Sequence, residues 1–298
     1  MSARFDAVVI GLGPGGEVAA GRLLAAGQRV AVIERELIGG ECAYWAYIPS
    51  KTLLRATEAA TAAGRVAGIE RPAIDWPALR DYRDYMVRHL DDTTQVEGYT
   101  EKGATVIRGD ARLVGPGQVL VIGGSAVGVE LGQFLARMGA DVTILERSAH
   151  LVPRETARMG ELALQSLRAD GIDVRTGVEA TRVLRAGPRA AVEVSDGSRI
   201  ETEVILLGTG RRPRTAGLGL ETAGARLDEH GAVVVDEHCR AGTRLWALGD
   251  VTGVALFTHV AMYQGRLVAA NLLGERRRAH YEGIPRVVFA DPEIAPSD

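Results

Sequence analysis

The chain has 298 residues, 46% hydrophobic and 24% charged, with a formal net charge of −3. That is enough apolar content to bury the cores of two domains, and no basic stripe suggests a nucleic-acid partner. No apolar run reaches the roughly eighteen residues of a membrane span, and the N-terminus enters a strand too soon for a secretion leader. Cys42 and Cys239 are the only cysteines, so no disulfide framework is expected and a reducing, cytoplasmic setting is; no metal site is expected either.

Residues 5–10 form a short apolar run of strand type, followed by Gly11-Leu12-Gly13-Pro14-Gly15-Gly16 and an alanine-rich helical stretch to Ala26. This order of strand, glycine turn and helix is that of a dinucleotide-binding unit. Gly11 permits the tight turn, Gly13 lets a pyrophosphate approach the helix N-terminus, and Gly16 lets helix and strand pack closely. A second strand, Arg29 to Ile33, ends at Glu34, whose carboxylate is placed to accept from ribose hydroxyls. Gly39 to Lys51 then reads GGECAYWAYIPSK, and Gly109 to Gly117 reads GDARLVGPG.

The dinucleotide unit recurs. Val119 to Ile122 is strand-like, Gly123-Gly124-Ser125-Ala126-Val127-Gly128 is the turn, and Val129 to Met138 is the helix. Asp141 to Leu145 is a strand ending in Glu146. The last glycine and the acid are equally far apart in both copies, Gly16 to Glu34 and Gly128 to Glu146. Two such units imply two different dinucleotides. The second departs from the pattern at Ser125, where the middle glycine should stand. Further on come Gly208-Thr209-Gly210-Arg211, an expected strand over Arg244 to Asp250 delivering Gly249 and Asp250, and a helix from Thr258 through Asn271. Ile284 to Ala295 reads as one more strand. The Arg211-Arg212 pair and the cluster Arg276 to Arg278 read as solvated surface. Basic residues are almost all arginine, with Lys51 and Lys102 the only lysines; a lysine kept in this background suggests a need for a compact ammonium.

The segment GGECAYWAYIPSK resembles the redox-active stretch of the flavoprotein disulfide reductases, the family of dihydrolipoyl dehydrogenase, glutathione reductase and mercuric reductase, whose pattern is GGxCxxxxCxPSK. Cys42 matches the first cysteine of that pattern, and Tyr47 stands at the second. The resemblance implies an α/β fold of two Rossmann-like domains, the second inserted in the first. An FAD-binding domain would comprise residues 1–117 and 243–283, and an NAD(P)H-binding domain residues 118–242. Residues 284–298 resemble the opening of the interface domain, which is otherwise largely absent, so a homodimer is possible without its usual contact. Also missing are strands that normally separate the GDARLVGPG segment from the second unit.

By the same resemblance FAD would be held by Gly11, Gly13, Gly16, Glu34, Arg35, Gly40, Glu41, Lys51, Ala111, Gly249, Asp250 and Thr258. Of these, Asp250 would meet the ribityl chain. NAD(P)H would be held by Gly123, Ser125, Gly128, Glu146 and Gly210, with Glu146 favouring NADH. Cys42, Tyr47, Lys51 and Glu130 occupy the catalytic positions, Lys51 and Glu130 forming an ion pair beside the flavin N5. A tyrosine can neither close a disulfide nor carry electrons as a thiolate. The expected activity is therefore hydride transfer from NAD(P)H to FAD and on to a small-molecule acceptor that is not a disulfide. Two alternatives stand beside it: hydride exchange like that of the soluble transhydrogenases, which also lack the second cysteine, and a dinucleotide-binding remnant without turnover.

Overall fold

A computed structural model describes residues 5–109, 128–186, 189–202, 205–206 and 211–295. In chain order its elements are β1 (Ala7–Ile10), α1 (Pro14–Ala25), β2 (Val30–Glu34), α2 (Gly40–Tyr44), α3 (Tyr47–Gly64), α4 (Trp76–Met86), α5 (Thr93–Glu101) and β3 (Thr105–Arg108). Then follow α6 (Gly128–Arg137), β4 (Thr143–Glu146), α7 (Ala157–Ala169), β5 (Asp173–Thr176), β6 (Ala180–Ala186), β7 (Arg189–Val194) and β8 (Arg199–Thr202). Last come β9 (Arg240–Gly242), β10 (Leu245–Trp246) and α8 (Thr258–Leu272). The chain divides into two compact units, one of residues 1–49, 81–126 and 210–282, the other of residues 50–80, 127–209 and 283–298. The fold is α/β, with two Rossmann-like units.

In the first unit β1, β2 and β3 form a parallel sheet with β2 at its centre, Val9 opposite Val32 and Val32 opposite Val106. Central parallel strands bury both faces, and Val30, Ala31 and Val32 are accordingly almost wholly enclosed. Leu12, Leu23, Ile38, Tyr99 and Ala269 complete this core. Helix α1 packs on α8 through glycines. A Cβ at Gly265 would lie 2.5 Å from the Gly15 carbonyl oxygen, and one at Gly15 would lie 2.6 Å from Leu248 Cδ1 and 2.9 Å from the Ala261 oxygen. The two helices thus meet backbone to backbone, at a separation that side chains on both would prevent.

The strand expected over Arg244 to Asp250 is shorter. Among the described residues only Leu245 and Trp246 of this segment pair, antiparallel to β9; Arg244 on one side takes φ +56°, and Gly249 on the other takes φ +77° and opens a 3₁₀ turn, Gly249–Thr252. Left-handed backbone cannot continue a ladder.

In the second unit β4 and β5 pair in parallel, and β6, β7 and β8 form an antiparallel meander. Leu151, Ala163, Leu167, Ile172, Val174 and Ile294 make the core. Residues 284–295 form one antiparallel bridge, Val288 to Ile294, instead of the strand expected there. Side chains clasp this bend. Gln133, 2% exposed, accepts the Asp291 N–H at 2.8 Å and donates to the Asp291 carbonyl at 3.0 Å. Arg137 and Arg65 reach the Asp291 carboxylate at 2.9 and 2.8 Å. The strand expected over Val119 to Ile122 and the glycine turn after it lie outside the described residues.

The α1–α8 contact gives a paired prediction. Gly265→Ala forces a methyl against the Gly15 carbonyl and should destabilise the protein by about 1–3 kcal/mol. Gly21→Ala, in the same α1 but with nothing within 4 Å of the added carbon, should instead stabilise by up to about 1 kcal/mol. Urea denaturation midpoints measure both, and equal midpoints for the two variants would refute the contact.

Candidate active site

The first unit builds its nucleotide turn at the start of α1. Gly11 takes φ +75°, and a Cβ at Gly16 would lie 1.8 Å from the Gly11 carbonyl, so no side chain fits at Gly16. Gly13, the N-cap residue, has no side-chain cap, and an added Cβ there would meet open space. With no side-chain cap on the first N–H groups of α1 and no side chain at Gly13 to crowd them, the positive end of the helix dipole suits an anion such as a pyrophosphate. Gly40, at φ +61°, crosses so near that its Cβ would be 2.9 Å from Gly13 Cα. The GGEC segment thereby joins the turn.

Glu34 ends β2, 7% exposed. One carboxylate oxygen accepts the Leu12 N–H at 2.9 Å and the other the Glu36 N–H at 2.8 Å. Each oxygen keeps a lone pair for a ribose hydroxyl, in a carboxylate whose direction the backbone fixes. Arg35 lies beside it on the Glu36 carboxylate at 2.9 Å.

Asp250 sits in the 3₁₀ turn after β10 and forms a short ion pair with Arg211, which also reaches Glu41 at 3.2 Å. Arg211 is enclosed, and its Nε is buried without a hydrogen-bond partner. The expectation that the Arg211-Arg212 pair is surface is therefore wrong for Arg211: a guanidinium flanked by two carboxylates can be buried where a lone one cannot. Burial raises the Asp250 carboxyl to about 6, although the Arg211 charge pulls the other way. Glu41 is also raised by burial, and Arg211 is lowered by it. The three form a desolvated site with one orphaned donor. Thr258, at the start of α8, donates its hydroxyl to Cys42 Sγ at 3.4 Å. Tyr47 is 42% exposed. The two cysteines are free, Cys239 fully buried.

In the second unit Gly128 is the first residue of α6 and Glu146 the last of β4. Glu146 accepts the Ser148 N–H at 2.6 Å, the same device as Glu34 with Glu36. Arg147 points to Glu179 at 4.0 Å and is highly exposed. Ala111, Gly123, Ser125 and Gly210 lie outside the described residues. Lys51, on α3, forms a short ion pair with Glu130, on α6. The pair has a third member: Phe289 donates its N–H to the other Glu130 oxygen at 3.1 Å and presents its ring 4.8 Å from the Lys51 ammonium. A cation over an aromatic face is attracted by the ring quadrupole.

Phe289 and Arg211 are absent from the set of residues expected from sequence. Phe289 acts through its backbone N–H and ring face, which leave no motif. Arg211 directly follows the glycine of GTGR, a hint only in retrospect.

The pyridine nucleotide-disulphide oxidoreductase family model matches residues 5–116 and 67–265. The chain belongs to this family. Curated relatives include a mercuric reductase from Streptomyces lividans and a dihydrolipoyl dehydrogenase from Thermus scotoductus, each 32% identical, covering 98% of this chain and 75% of the relative. The first alignment runs over 355 residues, more than the 298 of this chain, so that family member carries internal residues missing here. Among solved structures, the HOCl-induced flavoprotein disulfide reductase RclA from Escherichia coli matches with a TM-score of 0.82 at 26% identity, covering 97% of this chain and 76% of that one. LpdA from Mycobacterium tuberculosis matches with a TM-score of 0.85 at 23% identity, a likeness of fold. Members of the family are FAD-dependent oxidoreductases that use NAD(P)H. Among the described residues no helix is long and apolar enough to cross a membrane, and no cluster of His, Cys, Asp and Glu could hold a metal.

The Asp250 shift has a measurable sign. Folded protein keeps this proton up to about pH 6, while an ordinary aspartate releases it near 3.8. The unfolded state therefore loses its proton first as pH rises, and the stability associated with Asp250 falls across that window. Asp250→Asn should flatten the decline between those pH values. Urea melts of parent and variant at the two ends of the window check it, and parallel pH profiles would show that Asp250 titrates normally.

Proposed function

We propose that this protein is an FAD-dependent NAD(P)H oxidoreductase that delivers electrons to a small-molecule acceptor other than a disulfide. The observation that carries the acceptor class is Tyr47 at the second cysteine position, with the remaining thiol, Cys239, wholly enclosed. Bound FAD would supply a ring that takes hydride from reduced nicotinamide and passes electrons onward.

The chain's own groups fit that cofactor. The open α1 N-terminus suits the pyrophosphate, with Gly11, Gly13, Gly16 and Gly40 shaping the turn, and Glu34 suits the adenosine ribose, with Arg35 and Ala111 alongside it in the resemblance. Asp250 would accept from ribityl hydroxyls beside Glu41, Gly249 and Thr258. The Asp250 carboxyl is enclosed with Arg211, which would hold it charged and aimed while water is excluded. Cys42, receiving the Thr258 hydroxyl hydrogen, would line the flavin face as an apolar thiol with no partner to which electrons could pass.

In the resemblance Lys51 and Glu130 stand beside the flavin N5. A lysine tied to Glu130 and capped by Phe289 presents a fixed positive charge, which stabilises negative charge gained on reduction. In the resemblance nicotinamide binding falls to the second glycine turn, Gly123, Ser125 and Gly128, together with Gly210, and Glu146 would meet the ribose. The Glu146 carboxylate would accept from a 2′-hydroxyl and repel a 2′-phosphate, and Arg147 is directed to Glu179, so NADH is the preferred donor. On this reading residues 1–117 and 243–283 form the FAD domain, 118–242 the NAD(P)H domain and 284–298 the start of the interface segment. The protein would work in the cytoplasm, with a homodimer as a possible assembly.

Three results test the proposal. Protein reconstituted with excess FAD and desalted should retain flavin absorbance, bleached anaerobically faster by NADH than by NADPH; a colourless protein refutes it. Lipoamide and glutathione disulfide should yield no thiols above background, and rapid NADH-dependent thiol release would overturn the acceptor class. Lys51→Met strands the Glu130 charge, a loss of roughly 3–5 kcal/mol for a buried pair broken on one side, and should lower the flavin potential and slow its reduction. Lys102→Met, which removes a cation over the Tyr99 ring and near Glu17, should change neither.

A further inference from the structure

Gln264 lies in α8, 1% exposed, with both ends of its amide used. Its Oε1 accepts the Gly249 N–H at 2.6 Å, and its Nε2 donates to the Tyr281 hydroxyl at 2.8 Å. The orientation of the amide is dictated by chemistry: a backbone N–H can only donate, so the oxygen must face Gly249 and the NH₂ must face Tyr281. The Tyr281 hydroxyl lies 3.7 Å from Cys239 Sγ, and its ring meets Tyr263 edge-on at 6.3 Å. Gly249 itself has φ +77° and no side chain to fix its peptide plane. It is held from outside, by Gln264 at its N–H and by the Thr252 hydroxyl, which donates to its carbonyl at 2.8 Å. The next residue is Asp250. An amide buried in a helix is costly unless satisfied, and this one spends both hydrogen bonds around the turn that carries the carboxylate.

We propose that Gln264 is a positioning residue of the flavin site, pinning Gly249 and through it the Asp250 carboxylate against the ribityl chain. This rests on the flavin reading above. The adjacent Gly265 sets the close contact with α1, so two consecutive residues of α8 would serve the two halves of one cofactor. Gly265 brings in the pyrophosphate turn, and Gln264 aims the ribityl carboxylate.

The test separates the halves of the cofactor. ADP carries the adenosine and pyrophosphate but no ribityl chain. Gln264→Leu should weaken FAD binding to the apoprotein by about tenfold, as expected for a buried donor left unpaired, and leave ADP binding within about twofold of the parent, both read by titration calorimetry. With Asp250→Ala already present, Gln264→Leu should cost less than about twofold more, since the residues act as one unit. Gln264→Glu, which still accepts from Gly249, should recover most of the loss. Should Gln264→Leu not fold, Tyr281→Phe is read in its place, with FAD weakened about threefold and ADP unchanged. Equal weakening of ADP and FAD, or additive losses with Asp250→Ala, would overturn the role of Gln264 while leaving the flavin reading intact. A parent that takes up no FAD would overturn that reading and this inference together.

Discussion

The first unit depends on the approach of α1 and α8 through Gly15 and Gly265. Two helices can come this close only where neither carries a side chain, and the contact joins residues from opposite ends of the chain. What it brings together is chemical as well as structural. The glycine turn rides on the start of α1, Gly249 and Asp250 lead towards α8, and Thr258 begins it. A glycine in a helix interior costs about 0.5–1 kcal/mol relative to alanine, and close packing over the two helices offsets that cost.

A second constraint is the handling of buried charge. Arg211, Asp250 and Glu41 share one enclosure, and Lys51 and Glu130 share another with Phe289. Neither group of charges would be tolerated alone in a poorly hydrated setting. In each a carboxylate is held by a cation, and in the first the cation keeps a donor for something else. That donor is the Arg211 Nε, buried and unpartnered. Such incomplete satisfaction is rare in folded proteins and calls for an explanation, of which a bound group that completes it is one.

Much of this was legible in the sequence. The strand, glycine turn and helix of the first unit stand where the periodicity put them, because glycine spacing and a run of β-branched residues are local signals. Glu34 and Glu146 were readable because each sits at a strand end after a fixed interval. Lys51 with Glu130 emerged from the resemblance and from lysine scarcity, and the two side chains do pair. Illegible were features set by partners distant in sequence. Arg211 looks like surface beside Arg212 until two carboxylates close over it. The strand before Asp250 is cut short between two left-handed residues, Arg244 and Gly249, which an apolar run conceals. Residues 284–295 have strand composition but no partner strand among the described residues, so they bend and are gripped by Gln133 and Arg137.

Glu34 and Glu146 each accept a backbone N–H two residues further on. The same atoms that would read a ribose also tie down the loop leaving the strand. Replacing Glu146 by a small neutral residue to admit a 2′-phosphate would therefore free the Ser148 amide and loosen that loop at the same stroke. On the proposed reading, coenzyme preference would be coupled to local backbone order, and a lineage that switched it would need a compensating hydrogen-bond acceptor, such as a serine or threonine hydroxyl, to keep the loop in place.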